Sequence, residues 1–252
     1  MGPPIDTSLA TDHASLTRSA SSSISPGLFA TMLFPHPIEA VLFDMDGLLV
    51  DTETVYRDAV AAEAAARGHP MPLSLLLQMP GLPEHACDEL AGSHFGQNVD
   101  ISDYSAGVTR RVTETVKAGV ALKGGVIELL DLLDEKNLPR AIVTSSSHKT
   151  VEGHLGSTGI LPRFNAVIAC GDYDRGKPHP DPFLRGAEVL GKHAAGCLVL
   201  EDSYNGVRAA HAAGMITVMV PDLLDATDEM RGLCNAIADT LHAVRDGLLM
   251  AG

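Results

Sequence analysis

Two aspartates, Asp44 and Asp46, stand one residue apart at the end of the apolar run "VLF". Carboxylates this close repel, so the pair needs either open solvent or a positive charge between them. Three more polar clusters follow apolar runs. Thr144, Ser145 and Ser146 come after "AIV", Glu201 and Asp202 close "LVL", and Lys177, in "RGKPHPDPF", follows "VIAC" after a short loop. Together these residue types suit phosphoryl transfer. Asp44, Asp46 and Asp202 offer hard oxygen ligands for Mg²⁺, which takes a few carboxylates alongside water and phosphate oxygens. A carboxylate can also be a covalent nucleophile toward phosphorus. A hydroxyl near the free N–H groups of a helix start suits a phosphoryl oxygen. Lys177 supplies a fixed positive charge, and phosphoryl transfer depends mainly on positioning and charge neutralisation.

Each cluster alone has a blander reading. Asp-x-Asp-Gly is also a turn or calcium-loop fragment. A Ser/Thr run after a strand is usually a cap or turn, and Glu201-Asp202 could cap the next helix. A lone lysine is commonly solvated. The joint occurrence carries the functional reading.

The elements that must position these residues alternate. "IEAVLF" reads as a short buried strand. "TETVYRDAVAAEAAARG" reads as a helix that Asp51 can cap and Gly68 can stop. In "GGVIELLDLLDEKNLP" the residues Val126, Leu129, Leu130, Leu132 and Leu133 recur at helical spacing. Strands "AIVT", "NAVIA", "CLVLED", "ITVMV" and "AIAD" then alternate with the helices "HKTVEGHLGSTG", "PDPFLRGAEVLG" and "NGVRAAHAAG". This pattern predicts an α/β fold: a Rossmann-like parallel sheet with helices on both faces. In such sheets ligands bind outside the carboxyl ends of the strands, where all four polar clusters fall. Residues 53–120 lack strands and read as a small inserted all-helical cap. The core is then 38–52 and 121–252.

Residues 1–37 are rich in Ser, Thr and Ala, without periodicity, and read as a disordered extension. A targeting segment or a natural start at Met32 are the other readings. The formal net charge of −14 argues against general binding to nucleic acid or anionic membranes. No run approaches the ~18 apolar residues of a membrane span. Four widely spaced cysteines fit reduced thiols in a cytoplasmic protein, with Cys170 and Cys197 expected in the core.

The motifs resemble those of the haloacid dehalogenase superfamily, in its phosphatase and phosphomutase branch. The carriers, in the family's order, are "DMDGLLVDTE", "TSSS", "GKPHPDPF" and "LEDSYNGVRAAHAAGM". The resemblance spans about residues 38–240. It implies Asp44 as nucleophile and Asp46 as general acid and base. It implies a Mg²⁺ site made by Asp44, the Asp46 backbone carbonyl and Asp202, with Glu201 as ligand or close support. Ser145 and nearby groups, including Ser146, would hold the phosphoryl group, with Lys177 pairing Asp44. Thr144 could take the role given to Ser145. An Asp at position 46 points to phosphoester chemistry rather than dehalogenation.

Beta-phosphoglucomutase is similar in motif spacing. Its cap carries Lys, Arg and His where this chain shows Pro80, Glu84 and Tyr56; Arg57, His85 or Arg111 could compensate. The cap loop "MPGLPEH" makes Gly81 the candidate substrate contact. The resemblance therefore implies a Mg²⁺-dependent phosphatase for a small phosphorylated metabolite, such as a sugar phosphate, phosphoglycolate or nucleotide monophosphate. A phosphosugar mutase is the alternative, and a non-catalytic metabolite-binding protein the third reading. A monomer or homodimer is expected.

Overall fold

The computed structural model describes residues 34, 37–79, 84–96 and 99–251, with backbone alone at 84 and 85. Its centre is a six-stranded, wholly parallel sheet in the order β3-β2-β1-β4-β5-β6. The strands are β1 (Ala40–Phe43), β2 (Arg140–Val143), β3 (Ala166–Ile168), β4 (Cys197–Glu201), β5 (Ile216–Met219) and β6 (Ala236–Ile237). Phe43 of β1 lies opposite Ile142 of β2 and Leu200 of β4. The strand order reverses at β1, so the residues leaving β1, β2 and β4 share one rim. That is where a doubly wound sheet opens a crevice.

Alternate side chains of each central strand feed two cores, as the two-residue repeat of a strand requires. Val41, Phe43, Ile142, Leu198, Leu200 and Val218 face one side. There they meet α5 (Val126–Glu135), α6 (His148–Leu155) and α10 (Leu241–Met250). All five apolar residues expected on α5 are buried. Ala40, Leu42, Ala141, Val143 and Val199 face the other side, against α7 (Asp181–Val189) and α8 (Tyr204–Ala212). Cys197 lies in this second core, as expected. Cys170 does not: it is exposed, because β3 stops at Ile168 and the chain turns outward there. Phe34, within the segment read as disordered, packs into the first core; residues 1–33, 35 and 36 lie outside the described residues.

Four helices, α1 (Thr52–Ala66), α2 (Leu73–Leu76), α3 (Glu84–Phe95) and α4 (Ile101–Ala118), form an insert after β1. It has its own apolar centre, with Val60, Ala64, Ala91, Phe95, Tyr104 and Val108 among its buried residues. Buried Glu63 ties α1 to α4 by accepting from Arg67 and, at 2.6 Å, from Arg111. Gly107 leaves room for it, since a Cβ there would come within 2.1 Å of Glu63 Oε1. The outgoing and returning chains run side by side at the base. Val50 bridges Leu122, and the Asp51 amide donates to the Ala121 carbonyl at 3.1 Å. Asp51 occupies the cap position of α1 but makes no side-chain cap bond. Its carboxylate lies 3.8 Å from Lys123 instead. Gly68, at φ 80°, follows the end of α1 as expected.

Candidate active site

β1 delivers Asp44 to the rim, where its amide donates to the Leu200 carbonyl at 3.0 Å. Buried Lys177 donates to Asp44, to the Val143 carbonyl at 3.0 Å and to Glu201 Oε1 at 2.6 Å. One ammonium therefore ties the ends of β1, β2 and β4. Burial works against that ammonium, but Asp44 and Glu201 outweigh it and hold Lys177 above its usual range. Glu201 is fully buried, and its second oxygen accepts from the Ser203 amide at 2.8 Å and hydroxyl at 2.9 Å. Gly206 is required beneath it: a Cβ would sit 1.6 Å from Glu201 Oε1.

Asp202 is buried yet accepts no hydrogen bond among the described residues. Gly47, at φ 82°, passes directly against it, and a Cβ there would meet Asp202 Oδ2 at 2.2 Å. Oxygens of Asp44, Glu201 and Asp202 all lie within 4.8 Å of one another. Burial, then the neighbouring Glu201 and Asp44, pushes Asp202 well above the usual carboxylate range. Asp44 moves the same way: burial lifts it, Lys177 opposes, and Glu201 and Asp46 add to the rise. A buried carboxylate set with too little positive charge fits a hard divalent cation. The donor set therefore suits the metal that the sequence implies.

Asp46 points elsewhere. Its Oδ1 accepts from Thr52 Oγ1 at 2.9 Å and lies 3.2 Å from His154 Nδ1, while Oδ2 accepts from Ser146 Oγ at 2.8 Å. Burial favours its neutral form, but the bonds from His154, Ser146 and Thr52 outweigh burial and hold Asp46 below its usual range. It lines a cavity of about 420 Å³ between the sheet rim and the insert. Ser146 and His154 share the floor, and Tyr56, Val60 and Tyr104 are among its upper walls. The two aspartates thus face different environments. One lies in the carboxylate–lysine cluster, the other beneath a partly apolar chamber.

Asp44, Asp46, Ser146, Lys177, Glu201 and Asp202 therefore converge at the rim. Thr144 is buried there, its Oγ1 accepting from the Ser146 amide at 3.0 Å. Ser145 is exposed. Gly81 and Pro80 lie outside the described residues, as do the side chains of Glu84 and His85. Arg57 is paired with Asp58 and Arg111 with Glu63, and neither lines the chamber. His154 and Thr52 were not singled out from sequence. Thr52 carried a weak signal as the first residue of a helix six positions beyond Asp46. His154 carried none, being 108 residues away and brought in by the packing of α6.

A family model for haloacid dehalogenase-like hydrolases matches residues 38–214, and the chain belongs to this family. Protein CbbY (plasmid) of Cupriavidus necator is 35% identical over 213 residues, covering 77% of this chain and 83% of its own. A protein named "Probable pseudouridine-5'-phosphatase" from Drosophila melanogaster is 36% identical over 188 residues, or 72% of this chain and 80% of its own. Among solved structures, a HAD family hydrolase from Deinococcus radiodurans, crystallised with bound phosphate and sodium, gives a TM-score of 0.74 at 26% identity. That likeness covers 86% of this chain and 97% of the other. The chain is a phosphatase-like hydrolase of this family. Among the described residues no helix is long and apolar enough to cross a membrane.

Proposed function

We propose that the protein is a Mg²⁺-dependent phosphatase that hydrolyses a small phosphomonoester through a phosphoaspartyl intermediate on Asp44. The observation that carries this reading is the division of labour between Asp44 and Asp46. Asp44 lies against Lys177 within a carboxylate cluster, while Asp46, two residues on, is held by three side chains beneath the chamber. Asp44 attacks phosphorus as the bond to the leaving oxygen breaks, and Asp46 gives that oxygen a proton. A water then attacks the phosphoaspartate, Asp46 takes the water's proton, and inorganic phosphate leaves with Asp44 restored.

Mg²⁺ would be held by Asp44, Asp202 and the Asp46 carbonyl, with Glu201 supporting, and would supply charge neutralisation for the phosphoryl oxygens. Lys177 keeps Asp44 aligned and offers its remaining charge to the transferring group. The hydrogen bonds that lower Asp46 suit its role as base; as acid it must first take up a proton, which a phosphoester monoanion can carry in. Exposed Ser145, at the end of β2, is the candidate for contact with the phosphoryl group, together with the amides entering α6, while buried Thr144 accepts from the Ser146 amide beneath it. Residues 53–120 act as the cap that supplies the leaving-group chamber. The name of the Drosophila relative is consistent with a phosphorylated nucleoside as substrate.

The test is phosphate release from a panel of monoesters with Mg²⁺ and with EDTA. Activity should need the metal, and Asp44→Asn should lower it by about a thousandfold or more. Wild-type activity in Asp44→Asn would remove Asp44 as nucleophile.

A further inference from the structure

The charge pattern of the chamber bears on the identity of the leaving group, an inference that rests on the phosphatase reading. Among the described residues lining it, the acidic side chains are Asp46, Glu53 and Asp88. No lysine or arginine lines it among the described residues, and residues 80–83 and 97–98 include none in sequence. The nearby Arg110 and Lys117 line an adjoining open groove that shares Asp88. One wall of the chamber is built by α3 and α4. There Ser105 donates to Asp88 Oδ1. Next to Ser105 in sequence, Tyr104 is 3% exposed and its hydroxyl is buried with no hydrogen-bond partner among the described residues. Its ring is fixed edge-on to Phe95 at 4.9 Å and lies under Arg67 at 6.0 Å. A buried hydroxyl without an acceptor is costly unless a ligand satisfies it. Val60, Val108 and Val112 also line the chamber.

We propose that the chamber takes the uncharged, hydroxyl-bearing leaving group of a substrate carrying a single phosphoryl group. Tyr104 donates to an oxygen of that group, and Asp88 accepts from one of its hydroxyls with the oxygen that Ser105 leaves free. Asp88 is thereby a specificity-determining residue: it turns away substrates that bring a second phosphate or a carboxylate to the α3–α4 wall. The volume agrees, since about 420 Å³ holds a sugar or nucleoside. Phosphoglycolate would leave most of it empty and place another anion among carboxylates.

With Mg²⁺ present and p-nitrophenyl phosphate as reporter, matched esters are measured as competitors: fructose 1-phosphate with fructose 1,6-bisphosphate, and ribose 5-phosphate with ribose 1,5-bisphosphate. In at least one pair the monophosphate should compete about a hundredfold better, or ~2.7 kcal/mol. Asp88→Asn should narrow that ratio by about tenfold or more, and Tyr104→Phe should weaken the monophosphate. A variant that merely folds badly would leave the ratio in place. An unchanged ratio in Asp88→Asn, bisphosphates that compete as well as or better than their monophosphates, or pairs in which neither member competes would each overturn the inference while the phosphatase reading stands. Absence of reporter turnover in the wild type would overturn both.

Discussion

Replacing Asp202 with Asn should make the protein more stable without metal and less stable with it. Asp202 is buried, faces Asp44 and Glu201 with oxygens within 4.8 Å, and accepts no hydrogen bond among the described residues. Two full charges at 4.8 Å repel by about 3.5 kcal/mol at an effective dielectric of about 20. The native protein relieves part of this by protonation, because burial and its neighbours raise the Asp202 pKa. A net gain of about 1–3 kcal/mol is therefore expected from the neutral isostere. For a chain of this length that is roughly 3–10 °C in Tm.

The pH dependence has a definite sign. A carboxyl raised in the folded state favours folding while protonated, and that contribution is lost as pH rises above its unfolded value of about 4. The variant's advantage should then be small near pH ~5 and large near pH ~8. Excess Mg²⁺ should reverse the order, since only the wild type gains binding energy at that position. Thermal melts in EDTA and in Mg²⁺ at the two pH values check all three statements. An Asp202→Asn protein melting at or below wild type in EDTA at the higher pH would refute the reasoning, because repulsion would not then dominate this cluster.

Lys177→Met should have the opposite effect: it strands Asp44 and Glu201, costs about 3–5 kcal/mol, and abolishes turnover, as denaturant melts and phosphate release would show. Ser146→Ala removes one of the donors that lower Asp46. The limb of the kcat/KM profile that needs ionised Asp46 should move up by about one pH unit, with Ser146→Thr restoring it. Because Asp44 and Asp202 hold protons more tightly than usual, Mg²⁺ binding should release protons and tighten as pH rises. Calorimetry in buffers of different ionisation enthalpy reads both effects.

The sheet was legible because its strands are short apolar runs ending in turn or cap residues. The central strands are buried on both faces, and each element between Ala40 and Ile237 that was read as a strand is one. The rim residues were legible for a related reason. A parallel sheet orders its carboxyl ends, so strand-end residues far apart in sequence can be placed together without coordinates. The insert was less legible. Its helices could be found, but which side chains face the chamber depends on packing between α1, α3 and α4, where no sheet register constrains the answer. Tyr104 illustrates this: its sequence neighbours do not distinguish a core tyrosine from one presenting its hydroxyl to a ligand. Cys170 shows the converse error, since an apolar run suggested burial but β3 had already ended.

The electrostatics of the site also explain how an acidic chain can bind an anion. At the rim the carboxylates of Asp44, Asp46, Glu201 and Asp202 outnumber the ammonium of Lys177, which is already shared between Asp44 and Glu201. The chamber adds Glu53 and Asp88. Without a cation these carboxylates oppose the entry of a phosphate, and Lys177, tied to Asp44 and Glu201, offsets them only in part. On the proposed reading, Mg²⁺ at the Asp44–Asp202 cluster would change the sign only there and leave the chamber acidic. The same arrangement would make phosphate binding depend on metal and confine it to one end of the substrate. One phosphoryl group would be drawn in at the rim, and a second would meet no lysine or arginine among the described residues lining the chamber.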